Sequence, residues 1–238
     1  MSERVRGAIA LAPAPGPSSL ALDLSAGDGL SSRLLAERGW RVVSTEYRTR
    51  KPGWVAVNLD RDLPFRAARF DLVMMLEVIE HLADIPHALG EIARVMRPGA
   101  VAIVTTPNRL NVSSRIHYLL SGYYKGRRAP LAYRYRVADG RNWHVMGLND
   151  LHWIAWGAGL RMETLGRSRR KLRSRILAPI LWPFIAGFSW MLYGRAKEPA
   201  QRKINRELLG FMTSASLLMD ENIIMRFRKV DSSDSRQD

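Results

Sequence analysis

The chain contains no cysteine among its 238 residues. That excludes disulfides, thiolate metal sites and a cysteine nucleophile, and it is compatible with a reducing cytoplasm. Histidine is also scarce, at five residues, so imidazole chemistry has few candidates. Acidic residues are in deficit: 22 Asp and Glu stand against 37 Lys and Arg, a formal charge of +15. Such a balance points to anionic partners, either a membrane surface or a nucleic acid. There is no internal repeat and no leader-like apolar run near the start, where Ile9, Ala10 and Leu11 are soon followed by Pro13, Pro15 and Pro17. Residues 1–19 read as a disordered or docking arm, and the polar residues 231–238 as a disordered tail. A hydrophobic share of 47% is enough for one large core with appendages.

What is present is concentrated first at residues 20–29, LALDLSAGDG. An apolar run (Leu20, Ala21, Leu22, Leu24) is followed by a loop of small residues and then by a helical pattern at Leu30, Leu34 and Leu35. Strand, tight turn and helix in that order open a nucleotide-binding α/β unit. Glycine in the turn lets backbone approach a ligand that a Cβ would block. A dinucleotide would need G-x-G-x-x-G/A. Gly27 and Gly29 fill the first two places, but Ser32 holds the third. Asp23 and Asp28 would repel a pyrophosphate and instead suit a ligand with a positive end. S-adenosylmethionine, with an ammonium, a sulfonium and no phosphate, fits that description; an ordinary βα turn without ligand is the alternative.

The following residues continue the alternation. Residues 41–46 read as a second strand ending in Glu46, residues 54–58 as a third followed by Asp60, and residues 70–76 as a buried fourth. Residues 96–100 read as a turn, 101–105 as a fifth strand, 160–166 as a sixth and 222–230 as a seventh. Near-continuous apolar strands separated by helical stretches imply a parallel sheet covered on both faces. Only seven residues, with Pro52 and Gly53, separate strands two and three, too few for a crossover helix; a turn is expected there.

The order Asp23, Glu46, Asp60, Phe70-Asp71-Leu72-Val73, Glu77-Val78-Ile79-Glu80-His81, Arg97-Pro98-Gly99 and Thr106-Pro107-Asn108 resembles the class I S-adenosylmethionine-dependent methyltransferases. Ubiquinone-biosynthesis O-methyltransferases and bacterial cell-envelope methyltransferases are the nearest likenesses. Residues 23–29 resemble the family's D-x-G-x-G-x-G, with Ser25 in place of its first glycine. The resemblance implies an α/β, Rossmann-like seven-stranded sheet, mostly parallel with an antiparallel last strand. It implies that Asp23, Ser25, Gly27 and Gly29 cradle the methionine end of the cofactor and that Glu46 takes the ribose. Tyr47 would flank the adenine, Leu59 and Asp60 would meet its edge, and Leu76 and Glu77 would lie beneath the methionyl part. For Asp60 the alternative is a solvated turn acid.

The basic excess is clustered. Arg167, Arg169, Arg170, Lys171, Arg173 and Arg175 precede residues 176–193, eighteen residues without a charge that include Trp182, Phe184, Phe188, Trp190 and Tyr193. Arg195, Lys197, Arg202, Lys203 and Arg206 follow. A basic cluster beside an aromatic-rich apolar stretch is the pattern of contact with an anionic membrane. The resemblance argues against a single crossing, because in that family the sixth and seventh strands pair antiparallel in one sheet. The segment therefore returns as a re-entrant hairpin or an in-plane helix, with Pro179 and Pro183 favouring breaks over one rod. A buried hairpin capping the site is the alternative. The division is thus an arm at 1–19, a cofactor-binding core at 20–170, a basic and apolar helical insertion at 171–220, the last core strand at 221–230 and a tail at 231–238.

Residues 109–147 are rich in arginine and aromatics and form the substrate cap in the resembled family; arginines and tyrosines suit an acidic or glycan-bearing acceptor. His144 or His117 is the candidate to take the acceptor's proton. Glu77, Glu80 and His81 share a face if a helical turn follows strand four, and with His144 they would hold Mg²⁺ or Mn²⁺; the alternative is that they only order the loop. The expected activity is O-methylation of a small-molecule, lipid or lipid-linked glycan acceptor by a cytoplasmic enzyme peripheral at the inner face of the membrane. The rivals are an RNA 2′-O-methyltransferase and a non-catalytic membrane adaptor on the same fold, with a dehydrogenase last.

Overall fold

The structure, a computed structural model, describes residues 3–48, 51–122, 124 and 146–230. Seven strands form one sheet: β1 Leu20–Leu24, β2 Arg41–Glu46, β3 Val55–Ala56, β4 Phe70–Leu76, β5 Met96–Pro107, β6 Leu160–Leu165 and β7 Asn222–Lys229. Their spatial order is β3-β2-β1-β4-β5-β7-β6. The pairs from β3 through β5 are parallel, and β7 runs antiparallel to both β5 and β6. The expected α/β sheet with an antiparallel last strand is observed.

Successive side chains of a strand alternate faces, so the inner strands are apolar on both. Leu22, Leu24, Val73 and Met75 enter one core, with Leu89 and Ile92 of α3 (Ile85–Val95) and Leu148 and Leu151 of α5 (Leu148–Gly157). Ala21, Leu72 and Met74 enter the other, with Leu35 of α2 (Leu30–Glu37). That second core also takes Val5, Ala8 and Ile9 of α1 (Glu3–Ala10). Residues 3–10 are thus a docked helix, the docking alternative of the arm. Gly7 makes the contact possible: a Cβ there would stand 2.1 Å from the Arg167 carbonyl oxygen.

Two strand readings need correction. Residues 96–100 are not a turn between elements. They belong to β5, which pairs Phe70 with Met96 and then Leu72 with Val101, so Arg97-Pro98-Gly99 is a bulge inside the strand. The third strand is only Val55–Ala56, as suits an edge paired on one side. Between β2 and β3 no helix occurs among the described residues.

Because β6 and β5 are both antiparallel to β7, β6 ends and β7 begins at the edge where the parallel strands terminate. The excursion between them leaves and returns at that edge. It contains α6 (Leu172–Tyr193), α7 (Pro199–Met212) and α8 (Ala215–Met219). Pro179 and Pro183 do not break α6, which is one 22-residue helix. Both prolines lie on its exposed side, where the ring displaces no neighbour. The inner side packs Leu177, Ala178, Leu181 and Ile185 on Val112 and Ile116 of α4 (Val112–Ser121) and on Leu218 of α8. Asn108 fastens the return: its Nδ2 donates to the carbonyls of Leu217 (2.7 Å) and Asp220 (2.9 Å).

Candidate functional site

The C-terminal ends of β1, β2 and β4 bring the sequence-predicted cofactor residues to one edge. Two non-glycine residues there adopt left-handed backbone, Ser25 (φ 53°) and Glu77 (φ 58°), each at a cost of about 1–3 kcal/mol. They follow adjacent strands, since β1 pairs with β4. The conformation at Ser25 explains why a glycine belongs at that position of the motif. Gly27 (φ 58°) has nothing within 4 Å of the place a Cβ would occupy, so its backbone faces open space.

Asp23 lies buried beneath the loop. It is 1% exposed, and its Oδ2 accepts from Ser31 Oγ and Ser32 Oγ, both at 2.6 Å. Burial raises its pKa, opposed by those two hydroxyls. It organises the loop from below, and Ser32, which breaks the dinucleotide motif, is one of its partners. Asp28 has a different task. Its Oδ1 accepts from Leu30 N at 3.0 Å, placing a carboxylate at the start of α2, where a dinucleotide would need its pyrophosphate.

Glu46 ends β2 against the loop. Its Oε2 accepts from Gly27 N (3.0 Å) and its Oε1 from Tyr47 N (2.9 Å). Tyr47 is exposed beside it. Lys51 Nζ donates to Gly27 O at 2.7 Å and stands 4.1 Å from the centre of the Trp54 ring. Leu59 is buried in the core. Asp60 is exposed, yet its Oδ1 accepts from Ala83 N (2.7 Å), tying the β3–β4 connection to the segment before α3.

Glu77 is half-buried and fully engaged. Thr105 Oγ1 donates to its Oε1 (3.0 Å), Asn222 Nδ2 donates to its Oε2 (2.9 Å), and Arg4 Nη1 lies 3.4 Å from Oε2. Burial raises its pKa, with Arg4 opposing. Leu76 precedes it, partly buried. Arg4, Thr105 and Asn222 were missed in the sequence because they come from three distant segments. The threonine pair closing an apolar strand was the one local signal.

Of the four residues of the metal expectation the structure describes Glu77, Glu80 and His81. Glu80 and His81 lie in a 3₁₀ turn, Ile79–His81. Glu80 turns inward, 5% exposed, and its pKa is pushed up to about 7, first by burial and then by Glu77. Glu77 is committed to Thr105 and Asn222. Among the described residues no three His, Asp or Glu side chains are placed to hold a metal ion. His144 lies outside the described residues. His117 sits one turn beyond Ser113 on α4, and the cavity described next is walled by Ser113 but not by His117.

That cavity, of about 1250 Å³, opens beside Glu77 and extends past Pro107 and Asn108 to Lys171 and Leu172 at the start of α6. Glu77 is therefore common to the cofactor edge and to a chamber large enough for an acceptor.

Comparison with known proteins agrees with this geometry. The methyltransferase domain family matches residues 1–165. A probable S-adenosylmethionine-dependent methyltransferase of Mycolicibacterium smegmatis is 34% identical over 101 residues, 39% of each chain. A ubiquinone biosynthesis O-methyltransferase of Bradyrhizobium sp. is 33% identical over 94 residues, 40% of this chain and 33% of the relative. The chain thus matches two-fifths or less of the length of these relatives. The 1,6-didemethyltoxoflavin-N1-methyltransferase of Burkholderia thailandensis, solved with its 1,6-didemethyltoxoflavin and S-adenosylhomocysteine, has the same fold. It aligns with 97% of this chain and 80% of its own at a TM-score of 0.56 and 15% identity. With the family match spanning both β1 with its glycine loop and the strands up to β6, the chain belongs to the class I S-adenosylmethionine-dependent methyltransferases.

Proposed function

We propose that the protein is an S-adenosylmethionine-dependent O-methyltransferase whose acceptor is a membrane-associated lipid or lipid-linked glycan, met at the cytoplasmic face. The observation that carries this reading is the position and chemistry of α6. It leaves and rejoins the sheet at the cofactor edge, and its outward side is apolar. Ile176, Pro179, Ile180, Pro183, Phe184, Gly187, Phe188 and Met191 recur at helical spacing on the exposed side, while Ser174 and Ser189 are buried. Phe184 is 73% and Phe188 61% exposed. A water-soluble surface helix has the opposite polarity. By length and composition α6 is long enough to cross a membrane, but both its flanking strands pair in one sheet, so it lies in the interface. The arginines and lysines before and after it supply the second attraction that stable attachment requires.

The cofactor fits the residues present: an open space over Gly27, a carboxylate at Glu46 and an acid at the start of α2 that rejects phosphate. When bound, it supplies an electrophilic methyl group. The chain's contribution is alignment. Glu46 takes the ribose, the backbone at Gly27 meets the methionine end, Asp23 fixes the loop, and Glu77 sets the boundary between cofactor and acceptor chamber. Relatives named as ubiquinone biosynthesis O-methyltransferases support oxygen as the receiving atom.

Vesicle flotation tests the reading. The protein should float with phosphatidylglycerol vesicles and less so at high salt, and Phe184→Glu/Phe188→Glu should stay in the soluble fraction while binding S-adenosylhomocysteine normally. A protein that ignores these vesicles and binds RNA instead would transfer the assignment to nucleic-acid methylation.

A further inference from the structure

The chamber beside Glu77 gathers part of the basic run that precedes α6 together with Arg4 and Arg109 from other segments. Arg4, Arg109, Arg169, Arg170, Lys171 and Arg173 line it, against the carboxylates of Glu3, Glu77 and Glu221. Arg4 lies against Glu77 (3.4 Å) and Arg170 against Asp220 (3.5 Å), the charge of Arg109 acts on Glu80, and Lys171 also has a partner inside the protein. Arg169 and Arg173 make no ion pair among the described residues and are exposed at the mouth. Arg109 is only 4% exposed, so a guanidinium is carried deep into the wall at a considerable desolvation cost. α6 begins in the same wall, with no side-chain cap on its first turn and no acidic residue there. Its unsatisfied N–H groups add partial positive charge to the chamber. A neutral acceptor would gain nothing from this arrangement.

We infer that the chamber holds the phosphorylated headgroup of a lipid acceptor, with the phosphate among Arg109, Arg169, Lys171 and Arg173 and the rest of the headgroup turned toward Glu77. The source of the phosphate is a lipid because the chamber opens at the root of α6. An acyl or prenyl chain leaving the phosphate there runs out along Leu172 and Ile176, the first exposed apolar residues of that helix. Guanidinium groups offer phosphate paired, charge-assisted hydrogen bonds, which a lone surface lysine does not. This inference rests on the acceptor reading above, and its test keeps the two separable.

The probes are dihexanoylphosphatidate, dihexanoylglycerol and inorganic phosphate, each titrated calorimetrically into the full chain saturated with S-adenosylhomocysteine. Phosphatidate should bind, with dihexanoylglycerol and inorganic phosphate each weaker by about tenfold or more. Arg169→Ala/Arg173→Ala should weaken phosphatidate by about tenfold, with no change in S-adenosylhomocysteine affinity. Lys203→Ala/Arg206→Ala, which removes equal charge from the exposed side of α7, should leave phosphatidate binding unchanged. Equal weakening by both double variants would reduce the effect to bulk charge and overturn the inference. Inorganic phosphate binding as tightly as phosphatidate would overturn the lipid source, and dihexanoylglycerol binding equally would overturn the phosphate site. Failure of the wild-type chain to bind S-adenosylhomocysteine would instead strike the methyltransferase reading, independently of the phosphate results.

Discussion

Replacing Glu80 by glutamine should make the protein more stable at neutral and alkaline pH and leave it nearly unchanged in acid. Glu80 is 5% exposed in the 3₁₀ turn after β4, and its Oε2 has no hydrogen-bond partner among the described residues. Burial, and secondarily the charge of Glu77, raise its pKa from 4.5 to about 7. The unfolded chain releases this proton near 4.5, whereas the folded chain keeps it until about 7. Between those values the native state binds more protons, so its stability falls as pH rises. At about 1.4 kcal/mol for each pH unit, the rise from 4.5 to about 7 amounts to about 3 kcal/mol. Glutamine keeps the shape and removes the titration. Urea denaturation of both proteins from pH 4.5 to pH 8 measures the difference directly. The variant's advantage should grow from near zero to about 3 kcal/mol across that interval. Parallel stability curves for the two proteins would refute the buried, protonated Glu80.

The cofactor edge gives a second test. Gly27→Val should abolish S-adenosylhomocysteine binding in calorimetry, because it fills the space above the loop and strains a left-handed backbone, and Glu46→Gln should weaken it by about tenfold; NAD should not bind either protein. Gly7→Ala sets two effects against each other. Helix propensity favours alanine by about 1 kcal/mol, but the clash with the Arg167 carbonyl costs about 1–3 kcal/mol, so denaturation should show a net loss, and a net gain would mean that α1 does not sit against that segment. Millimolar Mg²⁺ or Mn²⁺ should leave the melting temperature unchanged, since Glu77 is already held by Thr105 and Asn222; a saturable rise that His81→Ala removes would restore a metal role.

Much of the sheet was legible because its inner strands are apolar runs closed by an acid or a loop of small residues. β2 begins and ends at the residues read from sequence, Arg41 and Glu46. The errors have local causes. In α1, Val5, Ala8 and Ile9 carry the i, i+3, i+4 signal of a buried helical face, but the prolines that follow masked it. In β5 the Arg97-Pro98-Gly99 turn chemistry is real, yet Arg97 binds Asp71 at 2.8 and 3.0 Å, and the strand pairs with β4 on both sides of the bulge. The carboxylates of the site differ in how much of their surroundings the sequence reveals. Asp23 has its hydroxyl partners, Ser31 and Ser32, in plain sight eight and nine residues later. Glu77 gave no such hint, because Arg4 and Asn222 reach it from opposite ends of the chain.

The two-strand mounting of the α6 excursion has a consequence for how the enzyme would find its acceptor. A single flexible tether lets a domain swivel above a surface and sample it from every angle. Here the excursion is rooted in β6 and β7, neighbours in one sheet, and both roots lie at the edge that carries Glu77. On the proposed seating of α6 on a bilayer, the chamber mouth would be held at a fixed height and a fixed tilt. The search for substrate would then lose its rotational part and become lateral diffusion in two dimensions. Turnover would follow the acceptor's surface density in the leaflet, and diluting the vesicles at constant lipid composition would leave the rate of each bound molecule unchanged.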